Sequence, residues 1–494
     1  MKKNLFRENI LFLFFIFLVL FTAAAAAQAN PVPVVTSISP DHKVQHMPAF
    51  ILTVNGSNFV PDSSIVFDGQ VKTTAYISDT ELQCIVFANN ILVPAGNPNH
   101  TVSVKVWNPA PGGGASQPVD FLIYAEHAFT GVIDISGTAD RSLHPWAAVD
   151  QSDVVHVAWD EIVEDIYKIY YRRSTNFGGT WDPIRVLSEG MENRHVLSIN
   201  VPANTNGLIY VFFYTYDSGI KKLYYSLSSD SGVTWGQPNL IRECSGCSTP
   251  LVRTDDNGNF LLLQERLNGT IYDVYFARST DRGATWPIIT NVSNSFVDSR
   301  YPAFDVGANG NIHIAWSEDP SGADEVYYSR SSDNGATFSA PLAIANSQNN
   351  FEIEVEADSL GEVYLFWVTT SQGPPFTNTF YMSYSTNGGT TFSPGGPQWG
   401  YQYWWDTSVC VDRAGNINYL DSWYDLAISC NCVSYNRSMD YGANWDSFSI
   451  LSPVTVDTSY VEIVTDRAGN VYTLWYGYDF QNACYQIYLC RTEH

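Results

Sequence analysis

Three arginines are candidates for binding chemistry, because a guanidinium fork matches a carboxylate in both geometry and charge. They are Arg141, Arg194 and Arg300, and each precedes an alternating apolar run. If the fold brought them together, they would form a site for a carboxylate ligand. Whether they converge depends on the elements that carry them.

One aromatic loop is the second candidate for binding chemistry. It reads Tyr401-Gln-Tyr-Trp-Trp-Asp406, so that Tyr401, Tyr403, Trp404 and Trp405 are clustered in the chain. Aromatic rings with a polar edge suit stacking on sugar rings. The alternative is that these rings cap a channel, and the sequence leaves both interpretations open.

Acidic residues follow several predicted strands, at Asp160, Glu161, Glu318, Asp319 and Asp421. Most are expected to be solvated loop charges. The alternative role is contact with a sugar hydroxyl or with Ca²⁺, which prefers oxygen ligands. Asp160, Glu161 and Glu318 are therefore kept as ligand-binding candidates. Apart from that calcium contact, the sequence predicts no metal site and no cofactor.

An eight-residue pattern recurs six times and indicates which elements position these residues. Its first serines, beginning at Ser174, are spaced 54, 51, 52, 54 and 53 residues apart. The third position holds an acid or its amide, at Asn176, Asp230, Asp281, Asp333, Asn387 and Asp440. That side chain can bond the backbone two residues on, and the Gly at the fifth position supplies a positive φ, which together predict a tight turn. The closing Trp or Phe is expected to be buried between neighbouring units.

The rest of each repeat reads as strands, which predicts an all-β propeller. Each unit has four strands, with the pattern between the third and the fourth. First strands number seven by this count, so a seven-bladed ring is predicted, with six blades as the fallback. The seventh unit lacks a fourth strand, and residues 130–136 are expected to supply it. That closure would remove exposed edges.

These segments resemble the Asp-box repeats of the sialidase-like propeller superfamily, over about three quarters of the chain. The resemblance implies that ligands bind on the face opposite the boxes. It does not decide activity, because the superfamily contains both enzymes and non-enzymes. The resemblance implies a ligand carboxylate held by three arginines, for which Arg141, Arg194 and Arg300 are the candidates here. Sialidases carry their first arginine in an Arg-Ile-Pro motif, whereas the corresponding region here, Ser142-Leu-His-Pro145, lacks it.

Tryptophan recurs at the end of the second strand in four units, at Trp159, Trp316, Trp367 and Trp475. A residue needed in many blades is more simply explained by packing than by a binding site. We therefore expect these indoles to pack between blades.

Residues 31–125 do not fit the repeat and predict a β-sandwich. They contain a Ser-Pro start at Ser39-Pro40, the hairpin sequence Gly56-Ser-Asn-Phe59, and an ending of Asn108-Pro109 followed by Gly112-Gly-Gly-Ala-Ser116. This order resembles the IPT/TIG immunoglobulin-like family, whose members act as spacers or partner-binding modules. The propeller domain is then assigned to residues 127–494.

The N-terminus has the layout of a secretory signal peptide, assigned to residues 1–29. Lys2, Lys3 and Arg7 precede an apolar run, and Ala27-Gln-Ala29 is a small-x-small cleavage signal. We therefore predict a secreted or cell-surface protein with no membrane span in the mature chain. An uncleaved anchor is the alternative.

Acidic residues outnumber basic ones 50 to 25, which argues against nucleic acid as a partner, since phosphate binding needs Lys and Arg. All eight cysteines follow the apolar run, and disulfides are favoured over a metal site. The sequence thus predicts an exported, non-catalytic protein that binds a glycan or an extracellular protein partner. The alternative is a glycoside hydrolase of sialidase-like type.

Overall fold

The computed structural model describes residues 29–492 apart from 45–49, 88–89, 92–98, 125–128, 190, 192–193, 246–247, 308, 320–323, 347–349, 372–376, 402–403, 426–429, 447–448, 453–455 and 480–483. The assigned signal peptide thus lies outside the described residues except for Ala29. The described chain forms two compact units, one up to residue 127 and one from residue 128. It contains no helix long and apolar enough to cross a membrane.

The first unit is a two-sheet β-sandwich. One sheet has the strand order β1-β3-β7-β6, and the other has the order β2-β10-β8-β4-β5 with β9 paired to β8. The strands are β1 (Val34–Ser39), β2 (His42–Val44), β3 (Phe50–Ser57), β4 (Ser64–Phe67), β5 (Gln70–Val71), β6 (Thr74–Ser78), β7 (Glu81–Val86), β8 (Asn99–Asn108), β9 (Gly114–Ala115) and β10 (Val119–Tyr124).

Asn108 explains why the sequence motifs of the sandwich occur together. Its side chain is fully buried, and its amide donates to the backbone carbonyls of Pro31 and Asn58 at 2.9 and 2.7 Å. Its carbonyl oxygen accepts the Ser63 hydroxyl at 2.5 Å. Phe59, next to Asn58, is buried in the sandwich core. One buried amide therefore links the hairpin motif to the Asn-Pro motif, because a buried polar group must be bonded.

The second unit contains seven four-stranded sheets. From the inner strand outward, the first three are β12 (Arg141–Val149), β13 (Val155–Val163), β14 (Ile166–Ser174) and β15 (Arg185–Val186); β16 (Arg194–Asn200), β17 (Ile209–Asp217), β18 (Ile220–Ser228) and β19 (Asn239–Ser245); and β20 (Leu251–Thr254), β21 (Phe260–Asn268), β22 (Ile271–Ser279) and β23 (Ile288–Asn291). The next three are β24 (Ser299–Val306), β25 (Ile312–Glu318), β26 (Glu325–Ser331) and β27 (Leu342–Asn346); β28 (Asn350–Ala357), β29 (Val363–Thr370), β30 (Asn378–Ser385) and β31 (Gly396–Tyr401); and β32 (Trp404–Val411), β33 (Ile417–Asp425), β34 (Cys430–Ser438) and β35 (Ser449–Ile450). The seventh is β36 (Val456–Thr465), β37 (Val471–Asp479), β38 (Cys484–Arg491) and β11 (Ile133–Asp134). We refer to these sheets as blades one to seven, in the order given.

The seven inner strands surround a central cavity of about 440 Å³. Its lining includes residues of β12, β16, β20, β24, β28, β32 and β36, and β12 also contacts β36. The ring is therefore closed between blade seven and blade one. The join lies within blade seven, where β11 pairs antiparallel with β38. Backbone bonds from Thr130 to Arg491 and from Ile135 to Ile487 extend this pairing.

Side chains on the inner strands bond the backbone of the next blade. The inner strand of each blade is an edge strand, so the N–H groups on its unpaired side lack a partner within the sheet. Asp305 accepts the Ala357 N–H at 3.0 Å, and Glu354 accepts the Val409 N–H at 3.0 Å. Polar residues in the channel thus link successive blades. This explains why carboxylates occur on the inner strands.

The Asp box forms the same bonded turn in all six units where it occurs. In blade three, the Ser279 hydroxyl donates to Asp281 at 2.7 Å and accepts the Gly283 N–H at 2.8 Å. Asp281 accepts the Thr285 N–H at 2.8 Å. The bonded N–H is therefore four residues after the acid, and the predicted bond two residues on is wrong. The reason is that the N–H two residues after Asp281 belongs to Gly283, and it is bonded to the Ser279 hydroxyl instead.

The repeated tryptophans pack between blades, as predicted. Trp159 and Trp316 are fully buried, and each lies in an apolar cluster with side chains of the preceding blade. Trp367 and Trp475 occupy the same kind of cluster. The closing aromatics of the boxes are half-buried against these clusters. Inter-blade packing thus explains both repeated aromatic positions.

The cysteines differ from the expectation of disulfides. Cys244 is disulfide-bonded. Cys84, Cys410, Cys484 and Cys490 carry thiols, so a disulfide is the wrong prediction for these four. The thiols of Cys84 and Cys490 are buried in the cores of different units, and burial raises the pKa of each to about 11. They behave as small apolar side chains.

Candidate functional site

A left-handed bulge recurs near the start of the inner strand in four blades. The register of the pairing shifts there, and one residue takes a positive φ: His144 at 49°, Tyr301 at 52°, Glu352 at 47° and Tyr460 at 54°. A bulge re-aims a side chain out of the normal alternation of a strand. The backbone repeats at this position, but the residue type changes from blade to blade.

The bulge of blade one places His144 beside a buried carboxylate. Asp160 lies near the end of β13 and has no exposed surface. Its Oδ2 is 2.9 Å from Nδ1 of His144 and 3.0 Å from Nδ1 of His195, which lies in blade two. Its Oδ1 accepts the Val196 N–H at 2.8 Å. One carboxylate therefore fixes two imidazoles from neighbouring blades.

Tyrosine rings surround the two imidazoles. The ring of His144 lies 4.9 Å from that of Tyr460 and 5.8 Å from that of Tyr476. The ring of His195 lies 4.7 Å from Tyr167 and 5.3 Å from Tyr214. Both imidazoles remain about one-third exposed, at 32% and 31%. The site therefore offers aromatic faces, hydroxyls and ring nitrogens to a ligand.

The site lies on the face opposite the Asp boxes. His144 is near the start of β12 and Asp160 is near the end of β13, whereas each box follows the third strand of its blade. Because neighbouring strands are antiparallel, the start of the first strand and the end of the second share one edge of the sheet. The box and the turn between the first and second strands lie at the other edge.

Two carboxyl groups of neighbouring blades belong to the same face. Burial raises the pKa of Asp406 to about 7, and the Asp406 Oδ2 accepts the Val461 N–H at 3.0 Å. Burial, followed by the nearby charge of Asp406, raises the pKa of Glu352 to about 8. Each group is thus poised to hold a proton near neutral pH. Such groups can act as acids or as hydrogen-bond donors.

Among the predicted acidic candidates, Asp160 is in the site, and the interpretation of Glu161, Glu318 and Asp421 as solvated loop charges is wrong. Asp421 is fully buried in β33 and accepts the Ser434 hydroxyl. Glu161 accepts the indole N–H of Trp159 at 2.8 Å and the Ser142 hydroxyl at 2.6 Å. Glu318 accepts the indole N–H of Trp316 at 2.6 Å. The carboxylates of Glu161 and Glu318 are both buried within strands, where each accepts the N–H of a buried indole.

The predicted arginines lie in separate surroundings. The guanidinium of Arg300 pairs with Glu265 at 3.1 Å and Asp298 at 3.3 Å, and lies over the ring of Tyr272. That of Arg141 lies 5.1 Å from the ring centre of Tyr485. The side chain of Arg194 is outside the described residues. Arg300 is already neutralised by two carboxylates, which disfavours the predicted carboxylate site.

The predicted aromatic loop lies largely outside the described residues. Tyr403 is not described. Only the backbone of Tyr401, Trp404 and Trp405 is described, and it belongs to β31 and β32. Their role as a stacking surface therefore stays a prediction. Asp406, which ends the loop, has its side chain at the mouth of the channel.

Sequence reasoning missed His144, His195 and Tyr460. The spacing of the histidines gave no signal, because they are 51 residues apart whereas the boxes of blades one and two are 54 apart. They also occupy different places in their inner strands, since His195 pairs with Tyr214 and His144 lies in the bulge after the pair of Leu143 with Asp160. The bulge that turns His144 towards Asp160 depends on the pairing register, which no residue type marks.

The same three groups could hold a metal ion. The donor atoms of His144, Asp160 and His195 all lie within 4.8 Å of one another. Two nitrogens and one carboxylate oxygen suit a transition metal and do not suit the all-oxygen coordination of Ca²⁺. The calcium contact predicted from the acidic residues therefore does not match this donor set.

Similarities to known proteins agree with the fold. Residues 158–473 match the model of the BNR repeat-like domain, and residues 33–123 match that of the IPT/TIG domain. No curated protein has a matching sequence. Among solved structures, the polysaccharide lyase PL25 ulvan lyase is similar with a TM-score of 0.50 at 12% identity, covering 72% of this chain and 95% of its own.

Two further structures show weaker likeness. The NanB sialidase of Streptococcus pneumoniae has a TM-score of 0.40 at 12% identity, covering 90% of this chain and 83% of its own. A protein of unknown function from Dyadobacter fermentans has a TM-score of 0.43 at 16% identity, covering 74% of this chain and 99% of its own. At these identities the likeness concerns the fold alone. The match to the BNR repeat-like model covers more than half of the sequence. The chain therefore belongs to the BNR repeat-like family of sialidase-like fold, and an IPT/TIG domain precedes the repeat region.

Proposed function

We propose that the protein is exported and binds a glycan on the face opposite the Asp boxes, at the site formed by His144, His195 and their tyrosine neighbours. The observation that carries this proposal is the group of partly exposed aromatic side chains around the buried carboxylate of Asp160. Sugars present apolar ring faces and hydroxyl groups. Stacked tyrosines complement the faces, and imidazole nitrogens with phenol hydroxyls complement the hydroxyls.

Solved structures of similar fold support the choice of a glycan. The polysaccharide lyase of this fold was solved bound to -[GlcA(1-4)Rha3S]-. The net charge of −25 makes the chain a poor attractor for strongly anionic polymers. We therefore propose a neutral glycan as the ligand. An extracellular protein is the alternative ligand.

A second candidate is the predicted glycoside hydrolase. Glycosidases use two carboxyl groups, one of which must hold a proton. Asp406 and Glu352 favour this candidate, because the pKa of each is raised by burial to about 7 and about 8. Hydrolysis would release reducing ends from a bound glycan. Asp406→Asn keeps an acceptor for the Val461 N–H and would abolish that release.

Binding of the chain to a panel of neutral and anionic polysaccharides, by affinity gel electrophoresis and calorimetry, tests the proposal. We expect His195→Ala and Tyr460→Ala to weaken binding of a neutral glycan at least ~10-fold, because each removes a stacking or hydrogen-bonding group. Leu360→Ala is the matched control, since Leu360 is 72% exposed in a turn on the box face. Equal affinity of all three variants would contradict the proposed site.

A further inference from the structure

We propose that His144, Asp160 and His195 bind a divalent transition metal ion of the zinc class. This inference concerns the site of the proposed function, but it rests on the donor atoms alone and does not require a glycan. Sequence reasoning predicted no such site, because two of the three ligands had not been singled out.

The arrangement of the donors is the first observation. Nδ1 of His144 and Nδ1 of His195 both approach the same oxygen of Asp160, at 2.9 and 3.0 Å, and the three atoms lie within 4.8 Å of one another. Zinc binds imidazole nitrogen and carboxylate oxygen at about 2.0–2.2 Å. Ligands at that radius are separated by roughly the distances found here, so the side chains would need only small shifts to hold an ion.

The buried charge is the second observation. Asp160 has no exposed surface, and its ion-pair partners among the described residues are the two imidazoles. A buried carboxylate needs a compensating charge, which is either a protonated partner or a metal ion. An ion bound by both imidazoles supplies two positive charges and needs neither ring to be protonated. The Val196 N–H on the other oxygen then orients the carboxylate.

The positions of the ligands are the third observation. His144 lies in a left-handed bulge, a conformation that non-glycine residues rarely adopt and that is found at ligand clamps. Tyrosine rings pack against both imidazoles and limit their rotation. The ligands come from blades one and two, so that the ion would bridge these blades. A site with its ligands held in place loses little entropy on binding.

The donor set also indicates the class of ion. Two imidazoles and one carboxylate favour Zn²⁺, Co²⁺ or Ni²⁺ over Ca²⁺ and Mg²⁺. Three protein ligands leave coordination positions for water or for an oxygen of another ligand, as in open zinc sites. In the context of the proposed function, that oxygen would be a hydroxyl of the sugar.

Metal titration of the full chain, after EDTA treatment and dialysis, tests the inference. We expect Co²⁺ to give a visible d–d absorption band at one ion per chain, and Zn²⁺ to displace it. His195→Ala and Asp160→Asn should each weaken Zn²⁺ binding at least ~100-fold, because an open site with two protein ligands holds zinc poorly. His100→Ala, which removes a histidine of the sandwich, is the matched control and should bind as the original chain does.

Two readouts separate failure of the site from failure to fold. Far-UV circular dichroism identifies variants that are unfolded, and Asp160→Asn retains an oxygen able to accept the Val196 N–H. Zn²⁺ should raise the Tm of the original chain and not that of the variants. The inference is overturned if the original chain gives no Co²⁺ band, or if folded variants bind Zn²⁺ as tightly as it does. Glycan affinity measured with and without Zn²⁺ decides the proposed function separately.

Discussion

The two faces of the propeller use repetition in opposite ways. On the box face, a serine, an acid or its amide, and a glycine recur in six blades, and the bond from the glycine N–H to the serine hydroxyl is the same from Gly178 in blade one to Gly442 in blade six. On the opposite face, the same left-handed bulge carries histidine, tyrosine or glutamate. A repeated residue at a repeated backbone position indicates a structural role. A changing residue at a repeated backbone position indicates a site.

The largest expected effect on stability belongs to the repeated tryptophans. Trp316→Ala should lower the free energy of unfolding by about 3–5 kcal/mol, because it leaves a cavity between blades three and four. Urea unfolding followed by fluorescence measures the change. Tyr301→Ala is the matched control, because Tyr301 lies in the same blade but is 56% exposed. An equal loss in both variants would remove the distinction between repeated and changing positions.

The hydroxyl of an Asp box should have a smaller effect. Ser279→Ala leaves the Gly283 N–H without its acceptor, and we expect the free energy of unfolding to fall by about 1–3 kcal/mol. Ser279→Thr retains the hydroxyl and is the comparison variant. Neither should alter glycan or zinc binding, since both lie on the box face. Reduced binding in folded Ser279→Ala would show that the two faces are coupled.

The smallest expected effect concerns pH. Burial raises the pKa of Glu354 to about 8, above the value near 4.5 of the unfolded chain. The stability from this group is therefore complete below about pH 4.5 and is lost as the pH rises to about 8. Glu354→Gln keeps an acceptor for the Val409 N–H and removes the proton requirement, so it should raise Tm by about 1–3 °C at pH 8 and leave it unchanged at pH 4.5.

Scanning calorimetry at both pH values measures this difference. Glu243→Gln is the control, because Glu243 is 49% exposed in a surface pair with Lys222. A rise in Tm for Glu354→Gln at pH 4.5 as large as at pH 8 would mean that packing, not ionisation, is responsible.

Asp230 has the opposite pH dependence. Hydrogen bonds from Thr234 lower its pKa to about 2, so the contribution of Asp230 to the stability of the fold is lost as the pH falls from about 3.8 through 2.

Much of the fold could be predicted from the sequence, because each repeat carries the same residue types at the same positions. Ser279, Asp281 and Gly283 each bond within a few residues of themselves, and such local geometry depends on local sequence. The packing of Trp316 also followed, since a repeated large apolar residue must be buried. The fold was thus predictable wherever the physical cause lies close in the chain.

The candidate site was harder to predict from the sequence than the fold, because its geometry depends on contacts between blades. Asp160 was identified, but its partner His195 comes from the next blade and His144 is turned by a bulge. Glu161 follows Asp160 in β13, and the alternation of the strand points its side chain to the other side, towards Trp159 and into the packing. A register shift of one residue decides such an outcome, and the sequence does not encode it in any residue type.

The pairing of β11 with β38 has a consequence for the order of folding. Ser136 and Gln486, whose side chains are bonded in this sheet, are 350 residues apart. During synthesis, β11 therefore has no partner until β38 has been made. Blades one to six can each form as they emerge, but the ring closes only after β38 is available. A chain that stops before β38 would have six complete blades and an incomplete seventh, in which β11 and β37 lack the strand that lies between them.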